Sequence, residues 1–525
     1  MNILSLEFVV FVLATVIVYY IVPLKIRWCV LLAASGVFYG FAGWQGSLWL
    51  VLTAALSYGS SIWQHNLLLK ERAAAAAEEA GAETASSAPA EADKKVCASR
   101  KIKIYRKLLL AASIILPLGA MAFSKYFDAI RALFTSSPGL AIIVPLGLSY
   151  FTFQCVGYMI DIYRGKAEPA RNPLKFLLFA SFFPQMTQGP IAQYTQLMPQ
   201  LEEGHRFDPD NFTAGVQIAL WGLFKKMIIA DNLAAVNSAV STNNRGWFIL
   251  LSVIIYLIRL YCDFSGGMDV IRGAAKMLGI DMAENFRRPF FSFSVAEYWR
   301  RWHISLGNWF RNYVFYTITT SGFGIWLAKA GKKLFGKKAG RYFPATISTI
   351  VIFFLIGIWH VANLNAVLYG LYFGLTMGIE LLLEPAFKKL KKKFRVNEKN
   401  VFWKAFTLVR TWILVLLAQY FAITATPKEA FGLLGATFRN WSFANGWAQF
   451  TDITYAIVWK VAGLAVVVLI IVDIICERKP DINMKLARAP FYVRWPVLIF
   501  LILAIVIFGC YGADYDATAF LYTHF

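Results

Sequence analysis

Apolar residues come in this chain in blocks long enough to cross a bilayer. Phe8 to Val22, Val351 to Trp359 and Val461 to Val472 are the cores of three such blocks, and others recur to the end of the 525 residues. A stretch of about 20 apolar residues spans the hydrocarbon core as a helix, because only a helix satisfies its own backbone there. The blocks require an all-α polytopic integral membrane protein. The 58% hydrophobic and 16% charged composition fits no ordinary soluble domain of this length. One membrane-embedded domain, residues 1–525, is expected.

The net charge of +22 would suit nucleic acid if it formed a continuous face, but it sits in loops beside apolar blocks, as in KKLKKKFR at 388–395. That is the positive-inside pattern, and no nucleic-acid partner is expected; membrane lipid is. The first apolar run contains Glu7 and ends at Pro23-Leu24-Lys25, so it reads as a retained helix rather than a signal peptide. The six cysteines lack disulfide or zinc spacing and read as buried structural thiols, and no metal site is expected.

Following the basic loops along the chain gives about 11–13 spanning helices plus re-entrant segments. Crossings are expected near 8–22, 28–43, 47–68, 107–123, 140–160, 212–230, 247–264, 343–361, 365–384, 402–424, 455–476 and 495–511. Both termini then lie outside the cell membrane. Residues 70–105 are a cytoplasmic insert, rich in Ala, Glu and Ser at its centre, disordered or partly helical. Residues 174–190, broken by Pro184, Gly189 and Pro190, read as a re-entrant or interfacial element. Residues 265–301 read as a basic inner loop. Residues 303–320, flanked by basic sequence on both sides (AKAGKKLFGKKAGR follows), read as a segment that dips in and returns.

Of five histidines, two sit where polar groups are costly. His360 interrupts the apolar run FFLIGIWHVANLNAVLYG. Counted from Phe343 at 1.5 Å per residue it lies about 25 Å in, in the outer half of the membrane. His303 opens the dipping segment in EYWRRWHISLGNWFRNYVF. A neutral imidazole can take a proton from a hydroxyl near neutral pH. The alternative for His360 is a structural bond to a neighbouring helix, and for His303 interfacial anchoring beside Trp and Arg. His65 and His205 read as interfacial and loop residues. A polytopic transporter is the competing class, though no internal repeat is visible.

At these residues the chain resembles the membrane-bound O-acyltransferase family. YWRRWHISLGNWFRNYVF and GIWHVANLNAVLYGLYFG are similar to its two His-bearing regions. FFPQMTQGPIAQYTQLMPQ at 182–200, FKKMIIADNL at 224–233 and YCDFSGGMDVIRGAAKMLGI at 261–280 resemble its other shared stretches. The similarity points to the bacterial branch of alginate O-acetylation membrane subunits and teichoic acid D-alanyl transfer proteins. Differences occur at RNYVFYTITTSG, where alginate-type members often read RDYLYIPLGG, and at Val361-Ala362 in place of Gly-Ala. They bear on substrate more than on class.

The resemblance implies a helical bundle around a central funnel with a thin partition. The family's invariant His maps onto His360 and its second His onto His303. It implies transfer of an acyl group, acetyl first, from a cytoplasmic thioester to a cell-surface or secreted polysaccharide. The donor would be acetyl-CoA or an acyl carrier protein, and no bound cofactor is implied. An extracytoplasmic SGNH/GDSL-like acyltransferase would be the partner; D-alanyl transfer to teichoic acid is the alternative. Arg287, Arg288, Arg300 and Arg301 could attract donor phosphates, although positive-inside topology alone also explains them. The D-alanylation systems include a small partner ending in aromatic–x–Tyr–x–x–Phe, and this chain ends in FLYTHF, residues 520–525. Tyr522 is thereby a candidate acyl relay; its phenol needs a base, and His360 could serve. The competing role for the tail is packing, and His524 is assigned none.

Overall fold

A computed structural model describes the chain outside residues 42, 84–88, 132–133, 135–144, 187, 242–245, 362, 440, 442–455 and 512–525. Side chains are described outside those ranges and outside 44–45, 77–83, 89–99, 128–129 and 456. Among the described residues the regular structure is helical throughout. Eight helices among the described residues are long and apolar enough to cross a membrane: Arg100–Phe127, Pro209–Ser241, Gly246–Met277, Gly322–His360, Leu364–Lys393, Val401–Ala422, Ile457–Arg478 and Phe491–Phe508. The protein is an all-α, multi-pass membrane protein. The longer sequence-based count included segments that fold as shorter helices. Helices α2 (Arg27–Gly40) and α5 (Leu148–Tyr163) have 14 and 16 residues, about 21–24 Å against a hydrocarbon core of about 30 Å. Helix α1 (Leu6–Ile21) has 16 residues.

Two compact units divide the chain. One comprises Val10–Phe207 with Leu278–Met282; the other comprises Asn2–Val9, Asp208–Met277 and Ala283–Phe525.

In the first unit, α3 (Trp44–Glu83) and α4 (Pro89–Arg131) run into the low-complexity stretch from either side. Arg106 on α4 ion-pairs with Glu71 on α3 and donates from Nη2 to the Tyr163 carbonyl at 2.6 Å. The segment 174–190 begins as α6 (Pro173–Ser181), nine residues long and too short to cross. It then turns through buried Phe182, Phe183 and Met186. The Phe183 N–H donates to Ser35 Oγ of α2 at 3.1 Å, and Gln154 of α5 donates to Gln185 Oε1 at 2.6 Å. After α7 (Tyr194–Glu203), His205 acts as a joint: its N–H donates to Tyr19 Oη at 3.1 Å, and Arg27 donates to its carbonyl. Cys155 is buried as expected, whereas Cys29 on α2 is exposed.

The second unit is built on α8 (Pro209–Leu223) against α10 (Gly246–Met277). Glycines pair across this antiparallel crossing: a Cβ on Gly215 would lie 2.7 Å from the Gly273 carbonyl oxygen, and one on Gly222 2.6 Å from that of Gly266. Both pairs fall seven residues apart, on one helical face, so the two backbones touch. This contact explains a departure from expectation. Residues 265–277 are not a basic loop; they are the last turns of α10, kept helical because Gly266 and Gly273 let α8 close over them. Between α8 and α9 (Asp231–Ser241) a π-helix, Phe224–Ala230, turns two lysines inward. Lys226 Nζ reaches Asp263 Oδ1 at 2.6 Å and Asp231 Oδ1 at 2.8 Å, and Lys225 reaches Asp269 at 2.8 Å and Ser265 Oγ at 2.9 Å.

Past α10 the chain forms short pieces: α11 (Val295–Arg301), α12 (Ile304–Phe310), a π-helical turn Arg311–Phe315 and α13 (Tyr316–Thr320). The following basic stretch is not a loop. It belongs to α14 (Gly322–Ala339), broken at Gly336, whose φ of 75° only glycine adopts readily. Then α15 (Phe343–His360) and α16 (Leu364–Lys393) form a hairpin, followed by α17 (Val401–Ala422), α18 (Pro427–Thr437), α19 (Ala456–Arg478), α20 (Ile482–Ala487) and α21 (Phe491–Phe508).

Candidate active site

The α15–α16 turn carries the first histidine. The crossings expected at 343–361 and 365–384 break beside His360, and so do the helices: His360 is the last residue of α15, and Val361 is extended at φ −146°. Asn363 then caps α16, accepting from the Ala366 N–H at 2.7 Å. Asn365 ties the turn to the end of α17 by donating to the Thr424 carbonyl at 2.6 Å. His360 is therefore half-buried at a helix end held by two asparagines.

His303 stands at the junction of α11 and α12 with a left-handed backbone, φ 45° and ψ 52°. A non-glycine residue there stores about 1–3 kcal/mol, and such strain persists only where surrounding structure imposes it. Asn285 imposes it here. The Ile304 N–H donates to the Asn285 carbonyl and the Ser305 N–H to Asn285 Oδ1, both at 2.9 Å. His303 is 2% exposed. Phe264 of α10 meets it edge-on with centroids 5.0 Å apart.

The indole of Trp359 brings the two histidines together. Its centroid is 6.4 Å from the His303 ring at 61° and 4.6 Å from the His360 ring at 63°. His303 lies outside the spanning helices. Burial first, and then the neighbouring His360, hold its imidazole well below the ordinary value of 6.5. The site thus pairs a buried neutral imidazole with a half-buried one, with the rings of Phe264 and Trp359 packed beside them. Neither Asn285 nor Trp359 was among the residues singled out from sequence; Asn285 lies 18 positions from His303, with no local pattern linking them.

The four arginines do not converge as a set. Arg288 Nε and Arg301 Nη1 take the two oxygens of Glu477 on α19 at 2.6 and 2.9 Å, and Arg301 also pairs with Glu297 at 2.8 Å. Arg287 and Arg300 are exposed. From the other side Arg410 and Trp412 of α17 donate to the Phe293 and Phe290 carbonyls at 2.9 and 3.0 Å. The strand-like link from α10 to His303 is therefore clamped between α17 and α19. Tyr522 lies outside the described residues.

The profile of the MBOAT, membrane-bound O-acyltransferase family, matches residues 165–324, a stretch that contains Asn285 and His303. A Pseudomonas putida protein named "Probable alginate O-acetylase AlgI" is 30% identical over 379 residues, 70% of this chain and 67% of that protein. Its Pseudomonas syringae pv. tomato counterpart of the same name is 29% identical over 445 residues, 81% of this chain and 73% of that protein. A teichoic acid D-alanyltransferase of Bacillus subtilis is 29% identical over 280 residues, 52% of this chain and 67% of that protein. A relative of that identity and extent, together with the matched family stretch, means that this chain belongs to the membrane-bound O-acyltransferase family.

Proposed function

We propose that this enzyme passes an acetyl group from a cytoplasmic thioester, acetyl-CoA or an acylated carrier protein, to a hydroxyl acceptor for O-acylation of a cell-surface or secreted polysaccharide. The observation that carries the reading is the convergence of His303 and His360 on Trp359. His360, at the half-open end of α15, removes the acceptor hydroxyl's proton. The oxygen bonds to the thioester carbonyl carbon, the C–S bond breaks, and the proton passes from His360 to the departing thiolate. His303, neutral and buried, offers a second proton-accepting imidazole close to His360. Acetyl is favoured over other acyl groups because the two alginate O-acetylase relatives cover more of the chain than the D-alanyl relative does.

Tyr522 is the proposed first acceptor. An extracytoplasmic SGNH/GDSL-like acyltransferase then takes the group from it to polymer. Exposed Arg287 and Arg300 are the proposed contacts for donor phosphates, leaving Arg288 and Arg301 to hold the loop. The setting is the bacterial cell membrane with both termini outside. The experiment is reconstitution in proteoliposomes with the extracytoplasmic partner and polymer. Labelled acetyl-CoA, or acetylated carrier protein, supplied on the basic-loop side should label the polymer. Labelling only from D-alanyl carrier protein would replace acetyl by D-alanyl, and labelling from none of these donors would overturn the proposal.

A further inference from the structure

The geometry points to Asn285 as the positioning residue that fixes His303 in the Nδ1–H tautomer and leaves Nε2 as its unprotonated, proton-accepting nitrogen. Asn285 is 1% exposed, and its amide orientation is set by the backbone. The Ser305 N–H, which can only donate, meets Asn285 Oδ1 at 2.9 Å. A flipped amide would put NH2 against N–H. The other end of the amide agrees, since Nδ2 lies 3.4 Å from the Met268 sulfur, a weak acceptor. Oδ1 is therefore an acceptor, and His303 Nδ1 lies 3.4 Å from the same oxygen. The nitrogen facing an obligate acceptor must carry the proton, so in the neutral ring Nε2 keeps its lone pair.

The same oxygen that organises the strained turn, by receiving Ser305 N–H, also orients the ring beside it. Phe264 from α10 and Trp359 from α15 also lie against the His303 ring, and His360 is its titratable neighbour. The catalytic use of the bare Nε2 rests on the acyl-transfer reading above; the tautomer does not.

Full-length protein carrying 15N-histidine, in detergent micelles, separates the two. The His303 signals, assigned by their loss in His303→Gln, should report protonated Nδ1 and bare Nε2 at neutral pH. A majority Nε2–H tautomer overturns the inference whatever the activity. In the transfer assay, Asn285→Ala should lower kcat about 100-fold with donor KM unchanged, at the low end of a positioned base's contribution. Asn285→Asp keeps an acceptor oxygen for Nδ1–H, so it should restore activity to within about tenfold. Its carboxylate favours the imidazolium, so the acid limb of kcat/KM should move to higher pH. An Asp variant as inactive as the Ala variant, or an unmoved acid limb, would contradict the positioning role.

Discussion

Arg288 and Arg301 grip opposite oxygens of one carboxylate, Glu477, at 2.6 and 2.9 Å. The pair joins α19 to both ends of the segment that delivers His303. Arg288 itself has a left-handed backbone, φ 46°, so the segment is bent at each end and held at each end. Glu477→Ala leaves two guanidiniums without their shared partner. Because Glu477 is about a third exposed, the loss should be about 1–3 kcal/mol, below that of a fully buried pair. A thermal unfolding scan in micelles reads it, and Glu477→Gln should lose less than Glu477→Ala because it keeps the acceptor oxygen.

Lys226 and Asp263 are buried at 1% exposure each and pair at 2.6 Å. Removing only the cation strands a carboxylate inside the bundle. Lys226→Met should therefore cost about 3–5 kcal/mol, and adding Asp263→Asn should recover part of it. Denaturation of the single and double variants measures the recovery; two additive losses would contradict the coupling.

The depressed His303 pKa has a defined consequence for stability. The unfolded chain takes up this proton as pH falls through about 6.5, whereas the folded chain resists it until lower pH. The contribution is complete above 6.5 and is lost as pH falls toward the folded value. Unfolding at about pH 7.5 and about pH 5.5 should show wild type losing more stability than His303→Gln. Equal losses would place the titration elsewhere.

The tail begins from a fixed point. The Cys510 N–H donates to the Met227 carbonyl at 3.2 Å, and Asn232 donates to the Phe508 carbonyl at 3.2 Å. Tyr522→Phe preserves the ring and deletes the hydroxyl. If Tyr522 carries the acyl group, polymer labelling should stop while donor binding persists; undiminished labelling assigns the tail to packing.

The helical class was legible because length and apolarity alone decide it. His360 and His303 stood out because an ionisable residue in an apolar run has few reasons to be there. Helix ends were less legible. Glycine and charge near Gly266 and in AKAGKKLFGKKAGR read as loop, yet α8 packs on those glycines and α14 carries those lysines on exposed turns. The break beside His360 was an exception, legible between the crossings expected at 343–361 and 365–384. The partners that make the site (Asn285 for His303, Trp359 between the rings, Glu477 for the arginines) are joined only by tertiary packing. A single sequence contains no spacing rule that connects positions 285, 303 and 477.

His360 is the proposed base of an acyl transfer assembled on Trp359. Single-turnover cleavage of the donor thioester by purified protein in the presence of acceptor tests it most directly. His360→Gln, inserted and folded as wild type by its unfolding profile, should lower that rate by about 100-fold or more while donor affinity stays unchanged. A His360→Gln enzyme that turns over within about threefold of wild type would contradict the account.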